Sequence, residues 1–103
     1  MEIGIIIEFN EENGSGVIGN WNERKYILHE YNRSDLKKGD IVIYDCGALQ
    51  NYHNNERIAL YCYNIYRLKD KKDLILKSLE TKLFSDFSSL ICLVFPEFID
   101  KVI

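Results

Sequence analysis

The chain carries no surplus of positive charge: 13 Lys and Arg stand against 16 Asp and Glu, a net of −3. A protein held to nucleic acid mainly through phosphates is usually basic, because counterion release requires Lys and Arg. The balance therefore argues against non-specific nucleic-acid binding as a main activity. Cysteine is scarce too. Cys46, Cys62 and Cys92 are odd in number and far apart, no pair has metal-ligand spacing, and the start Met1-Glu2-Ile3 lacks the basic segment of a secretion signal. A reducing, cytoplasmic compartment is the expectation. The longest apolar run, Leu90 to Phe95, is too short to span a bilayer, so no membrane partner is expected. Internal repeats and low-complexity segments are missing. So are a nucleophile elbow, a phosphate loop and an HExxH pattern. The expectation is a protein that is not an enzyme and needs no cofactor or metal.

What is present is a strand pattern followed by a helical one. With 103 residues there is room for one small domain, and 47% apolar residues suffice for a core. A boundary falls near Leu68, where the charged stretch Lys69-Asp70-Lys71-Lys72-Asp73 begins. Before it, five short strands are expected at Glu2–Asn10, 15–21, 25–31, 40–46 and 57–68, with a polar loop over 47–56. Asn13-Gly14-Ser15-Gly16 is a hairpin signal, because Gly supplies the positive φ such turns need. On the first strand Ile5, Ile7 and Phe9 share a face, while Ile3 and Ile6 break the alternation. A strand apolar on both faces is usually covered on both. Beyond the boundary, Asp70 or Asp73 is expected to cap a helix to about Phe84 with a Leu76, Leu79, Leu83 stripe. A second helix starts at Ser85 or Asp86, and Pro96 breaks or restarts it before a short final helix over 97–103.

The first third of the chain resembles the opening of a cold-shock domain, a five-stranded OB-type barrel that binds single-stranded nucleic acid. Gly4, Phe9 and Asn10 stand where that family has a Gly and, at the end of its Lys-Trp-Phe-Asn, the Phe and Asn. Asn13-Gly14-Ser15-Gly16-Val17-Ile18 keeps both glycines and the Ile of Lys-Gly-Phe-Gly-Phe-Ile. Tyr26-Ile27-Leu28-His29-Glu30 keeps the His of Val-Phe-Val-His-Phe. Leu36 to Tyr44 is similar to a further family segment, Leu-x-x-Gly-x-x-Val-x-Phe, and Ala59 resembles an alanine of the last strand. The resemblance covers about residues 3–66. It implies a cold-shock-like OB barrel over residues 1–68; with the helical pattern beyond the boundary, the expected fold is mainly β, that barrel followed by a C-terminal α-helical extension over 69–103 that packs on the barrel or on a partner subunit.

The resemblance also implies a single-stranded RNA or DNA partner, with Phe9, Lys25 and His29 as the site. The departures weaken that surface. Glu8 takes the place of the stacking Trp, Ser15 and Val17 replace Phe, and Ile27 and Glu30 replace the two aromatics of the third strand. Stacking is worth roughly 1–3 kcal/mol per base, so losing most of a platform removes orders of magnitude in affinity. Trp21, Tyr31, Tyr61 and Tyr63 offer a relocated platform with Arg24, Lys25 and Arg57, set against the plain reading that strand aromatics are there to pack. Likewise the plain alternative for His29 is a half-exposed strand histidine without a role, and for Phe9 a partly buried core residue. Glu8, Glu11, Glu12 and Glu30 read as carboxylates on a solvated face.

The extension is heavily apolar for a terminal segment. Leu90, Leu93, Phe95 and Phe98 are the candidate interface residues, for a homodimer or a protein partner, or else they pack on the chain's own barrel. The alternative to a nucleic-acid-binding module is therefore a protein-interaction or oligomerisation module that keeps the OB barrel and has lost the binding face.

Overall fold

The computed structural model of the chain describes residues 1–19, 24–27, 30–50, 58–81 and 84–102. Five strands, β1 (Glu2–Asn10), β2 (Ser15–Gly19), β3 (Arg24–Ile27), β4 (Ile41–Gln50) and β5 (Ile58–Arg67), close into a barrel in the order β1-β2-β3-β5-β4. β4 returns to β1 through Ile3↔Ile43 and neighbouring pairs, and all contacts are antiparallel except β3–β5, where Tyr26↔Tyr61 and Ile27↔Cys62 pair in parallel. The architecture is that of an OB-like barrel. A helical extension follows: a 3-10 turn at Leu68–Lys71, α1 (Lys72–Leu79), a turn at Ser85–Phe87, α2 (Ser88–Val94), a turn at Pro96–Phe98 and α3 (Ile99–Val102).

The β1–β2 turn forms as its residues dictate. The Asn13 carboxamide oxygen accepts from the Ser15 amide at 3.0 Å and from its hydroxyl at 2.6 Å. Gly14 takes φ 68°, a conformation that suits a residue without a Cβ. Its carbonyl accepts from the Glu30 amide at 3.0 Å, and a Cβ there would stand 2.8 Å from that nitrogen. Residues 47–50, expected as the start of a loop, belong to β4, which runs on to Gln50, and the rest of that expected loop lies outside the described residues. Gly47 to Gln50 stay paired with Tyr61 to Ile58, and that ladder outweighs the low strand propensity of Gly and Ala.

β1 serves two cores. Its partners step from Ile6↔Ile18 to Glu8↔Val17, which makes Ile7 an extra residue, a bulge. Ile6 faces the barrel interior together with Ile18, Ile27, Leu36, Val42, Tyr44, Cys62 and Ile65, and the bulge brings Phe9 to the edge of the same cluster. A one-residue insertion reverses the pleat, which is why Phe9 does not share a face with Ile5. β5 has a second irregularity beside Asn64, at φ 51°, which lets both Cys62 and Ile65 point inward.

The outward face of β1 and β4 is covered by the extension. Ile3 and Ile43 join Leu68, Ile75, Phe84, Leu90, Ile91, Phe95 and Phe98 in one buried cluster, with Ile41, Leu79, Phe87 and Val94 at its margin. Three of the four candidate interface residues, Leu90, Phe95 and Phe98, thus face the chain's own barrel, and only Leu93 points to solvent, 69% exposed. Helix α1 is rotated from the expected stripe. Ile75 and Leu79 turn to the core while Leu76 is exposed, and Leu83 lies outside the described residues. No side chain caps α1: Asp70 instead accepts from Arg67 Nε at 2.9 Å, and Asp73 sits within the first turn.

Arg33 fastens the connection between β3 and β4. Its guanidinium donates to both Asp35 carboxylate oxygens at 2.9 and 3.0 Å, to Glu30 at 3.0 Å and to the Ile65 carbonyl at 2.6 Å. The hydrogen bonds from Arg33 hold the Asp35 carboxyl below its ordinary range. A depressed folded-state value means stability that is present above the unfolded carboxylate pKa of about 4 and lost as pH falls through the folded value. Asp35→Asn is therefore expected to flatten the loss of melting temperature between about pH 5 and pH 3, by less than ~1 kcal/mol because the carboxylate is well exposed to screening. Equal slopes for the two proteins would contradict the assignment.

Candidate functional site

The register places one continuous outward row across the barrel: Glu8 on β1, Val17 on β2, Tyr26 on β3, Tyr61 on β5 and Gly47 on β4, each opposite the next. Directly opposite residues on paired strands project to the same side of a sheet. The middle of this row is aromatic. Tyr26 is 53% exposed and Tyr63, two residues along β5 from Tyr61, is 39% exposed. The Tyr61 and Tyr63 rings tilt against each other with centroids 5.6 Å apart.

Gly47 makes this arrangement possible. The Tyr61 ring lies over it, and a Cβ at position 47 would come within 2.5 Å of the ring carbon bearing the hydroxyl. Arg24 is exposed and shares the outward side of β3 with Tyr26. Farther along β5, Tyr66 is exposed with Lys71 Nζ 4.1 Å above its ring centroid. Beside it a cavity of about 280 Å³ is lined by Met1, Asp45, Asn64, Tyr66, Lys71 and Leu74 among others. Two carboxylates border the face: Glu8 is exposed, and Asp45 pairs across from Tyr63 and accepts from the Asn64 side chain at 3.2 Å.

Lys25 is not part of this face. It alternates with Arg24 and Tyr26, so it points into the barrel, where it is 2% exposed and ion-paired with Glu2. Its ammonium lies 5.8 Å from the Tyr44 ring centroid. The same Glu2 oxygen accepts from the Tyr44 hydroxyl at 3.5 Å and from the Cys46 thiol at 3.4 Å. A phosphate outside the barrel does not reach such a group, and the outward cation of β3 is Arg24. Phe9 is half-buried against the barrel core rather than standing free as a stacking ring. His29, Trp21 and Arg57 lie outside the described residues. Tyr31 is exposed, in the turn after β3. Glu30 is engaged by Arg33.

The residue that sequence reasoning missed is Tyr26. Aligned with the cold-shock pattern it takes the place of a Val, and Ile27 the place of an aromatic. In the barrel Ile27 is buried and Tyr26 is outward. Its outward direction follows from the register with β2 and β5 rather than from its own segment.

Among the described residues no group of three or more His, Cys, Asp and Glu side chains is placed to hold a metal ion, and no described helix is long and apolar enough to cross a membrane. No protein-family model, no curated protein and no solved structure matches the chain, and the OB-like fold is carried by the strand order.

Proposed function

We propose that the protein is a binding module for single-stranded RNA or DNA, a divergent relative of the cold-shock domain whose bases stack on Tyr26, Tyr61 and Tyr63. The observation that carries this reading is the outward tyrosine row on β3 and β5 of an OB-like barrel, with Tyr61 seated on Gly47. Packing does not account for it, because Tyr26 and Tyr63 keep 53% and 39% of their surface in water. Aromatic faces stack on any base, so such a row favours strand over duplex and needs little sequence. Binding rather than catalysis is the role: among the described residues the face offers rings, one guanidinium and bordering carboxylates.

With a net charge of −3 the protein gains little from phosphates, so affinity is modest and falls only gently with salt. The test is fluorescence anisotropy with labelled oligothymidine and oligouridine at low salt. Binding is expected at tens of micromolar or tighter. Each of Tyr26→Ala and Tyr63→Ala is expected to weaken it by roughly tenfold, with the melting curve near that of the parent. No binding at these concentrations, or unchanged binding by the folded double variant, would sink the proposal.

A second reading, a protein-interaction module, is favoured by Leu93 and Ile99, which stand 69% and 52% exposed on the extension. Concentration-dependent mass that disappears in Leu93→Ser with Ile99→Ser, alongside absent nucleic-acid binding, would select it.

A further inference from the structure

Beneath the tyrosine row, one rung of the β4–β5 ladder joins two thiols. Cys46 and Cys62 are in-register partners, adjacent to the rung Gly47↔Tyr61. Residues directly opposite on antiparallel strands have Cα atoms about 4.5–5.5 Å apart and side chains on the same face. Disulfides accept Cα separations of about 4.4–6.8 Å. Both side chains turn to the barrel interior: Cys62 is fully buried in its core and Cys46 packs against that core from the half-buried edge. All three cysteines are thiols in the structure.

The geometry points to a modification site: Cys46 and Cys62 form a reversible cross-strand disulfide when the protein meets a disulfide oxidant such as oxidised glutathione. The difference in exposure sets the order. The Cys46 thiolate attacks one sulfur of the oxidant, forming a mixed disulfide and releasing one glutathione thiolate. The Cys62 thiol, losing its proton to solvent, then attacks the Cys46 sulfur, and the second glutathione leaves as thiolate and takes up a proton. Two protein thiols are oxidised and one glutathione disulfide is reduced to two thiols. Reduced glutathione in excess runs the exchange backwards.

The consequence is mechanical. The bond ties β4 to β5 immediately under the Tyr61 ring and removes loop freedom from the unfolded chain between positions 46 and 62. For a loop of this size the gain corresponds to a melting temperature higher by roughly 10 °C or more. Cys92, on α2, has no cysteine opposite it among the described residues and serves as the control.

The experiment treats the full chain with oxidised glutathione, then measures intact mass and free thiols and maps the bond by digestion without reduction. The expected result is a monomer that has lost two hydrogens, retains one titratable thiol and yields a peptide joining the segments that carry Cys46 and Cys62. Its melting temperature rises and returns on reduction. Cys92→Ser should behave identically, and Cys46→Ser should lose the effect. Three persisting thiols, mixed disulfides alone, or a bond that involves Cys92 would overturn the proposal whatever the variants do.

Discussion

Deletion of residues 69–103 is expected to abolish the soluble barrel. The extension is half of a core: Ile3, Ile43 and Leu68 are buried only because α1, α2 and the turns around Phe95 and Phe98 cover them. Returning a buried Ile or Leu to water costs about 1.5–3 kcal/mol each. Three such residues amount to roughly 4–9 kcal/mol, comparable with the whole stability of a small domain at about 5–15 kcal/mol. The exposed pair Ile3↔Ile43 would also lie side by side on adjacent strands, a patch that invites association. Expression of the shortened chain should give aggregate or an unfolded species by size-exclusion chromatography and circular dichroism. Ile91→Ala in the full chain is the graded version, with an expected loss of about 2–5 kcal/mol. A shortened chain that stays soluble, monomeric and equally stable would show that the helices do not share the barrel's core.

The second large effect concerns the polar cluster inside the barrel, where the two partners of one ion pair should respond unequally. Glu2→Ala removes the carboxylate that the buried Lys25 ammonium faces, together with the acceptor for Tyr44 and Cys46. Removing a carboxylate partner from a charge in a low-dielectric site weakens its compensation, with an expected loss of up to about 3 kcal/mol. Lys25→Met keeps the stem's volume and leaves a carboxylate that is one-third exposed and can be hydrated. That variant is expected to be close to neutral, within about 1 kcal/mol, since apolar replacements of buried ions are often tolerated. Chemical denaturation of both variants checks the asymmetry. Equal losses in the two variants would refute the asymmetry.

The strands and the Gly-containing turn were legible because they depend on local chemistry. Asn13 and Gly14 announce a hairpin, and alternating β-branched residues announce strands. The directions of side chains were less legible, because two irregularities reset the phase. Ile7 is an extra residue in β1 and Asn64 takes a left-handed conformation in β5, and neither leaves a clear mark in a pattern of Ile and Tyr. Phe9 was misread for that reason. Lys25 could not have been placed from its own segment, since Arg24-Lys25-Tyr26-Ile27 alternates equally well in either phase. What turns Lys25 inward is a carboxylate twenty-three positions away. The tail's apolar load was visible, but its destination depends on Ile3 and Ile43, which only the closed barrel brings together.

The parallel contact between β3 and β5 also sets an order of assembly. β1, β2 and β3 pair as sequence neighbours, whereas among the described strands β5 is the one that joins β3 to β4. Until it docks, both of those strands present an open edge of unpaired amides and carbonyls, the kind of edge that recruits other chains. The pairs that close the ring are also distant in sequence, Ile3 with Ile43 and Tyr26 with Tyr61. Loop closure of that span slows folding relative to hairpin formation. The vulnerable species in the life of this protein is thus a four-stranded open sheet, β4-β1-β2-β3, awaiting its last strand, and conditions that shorten that wait protect it more than any change to the finished barrel.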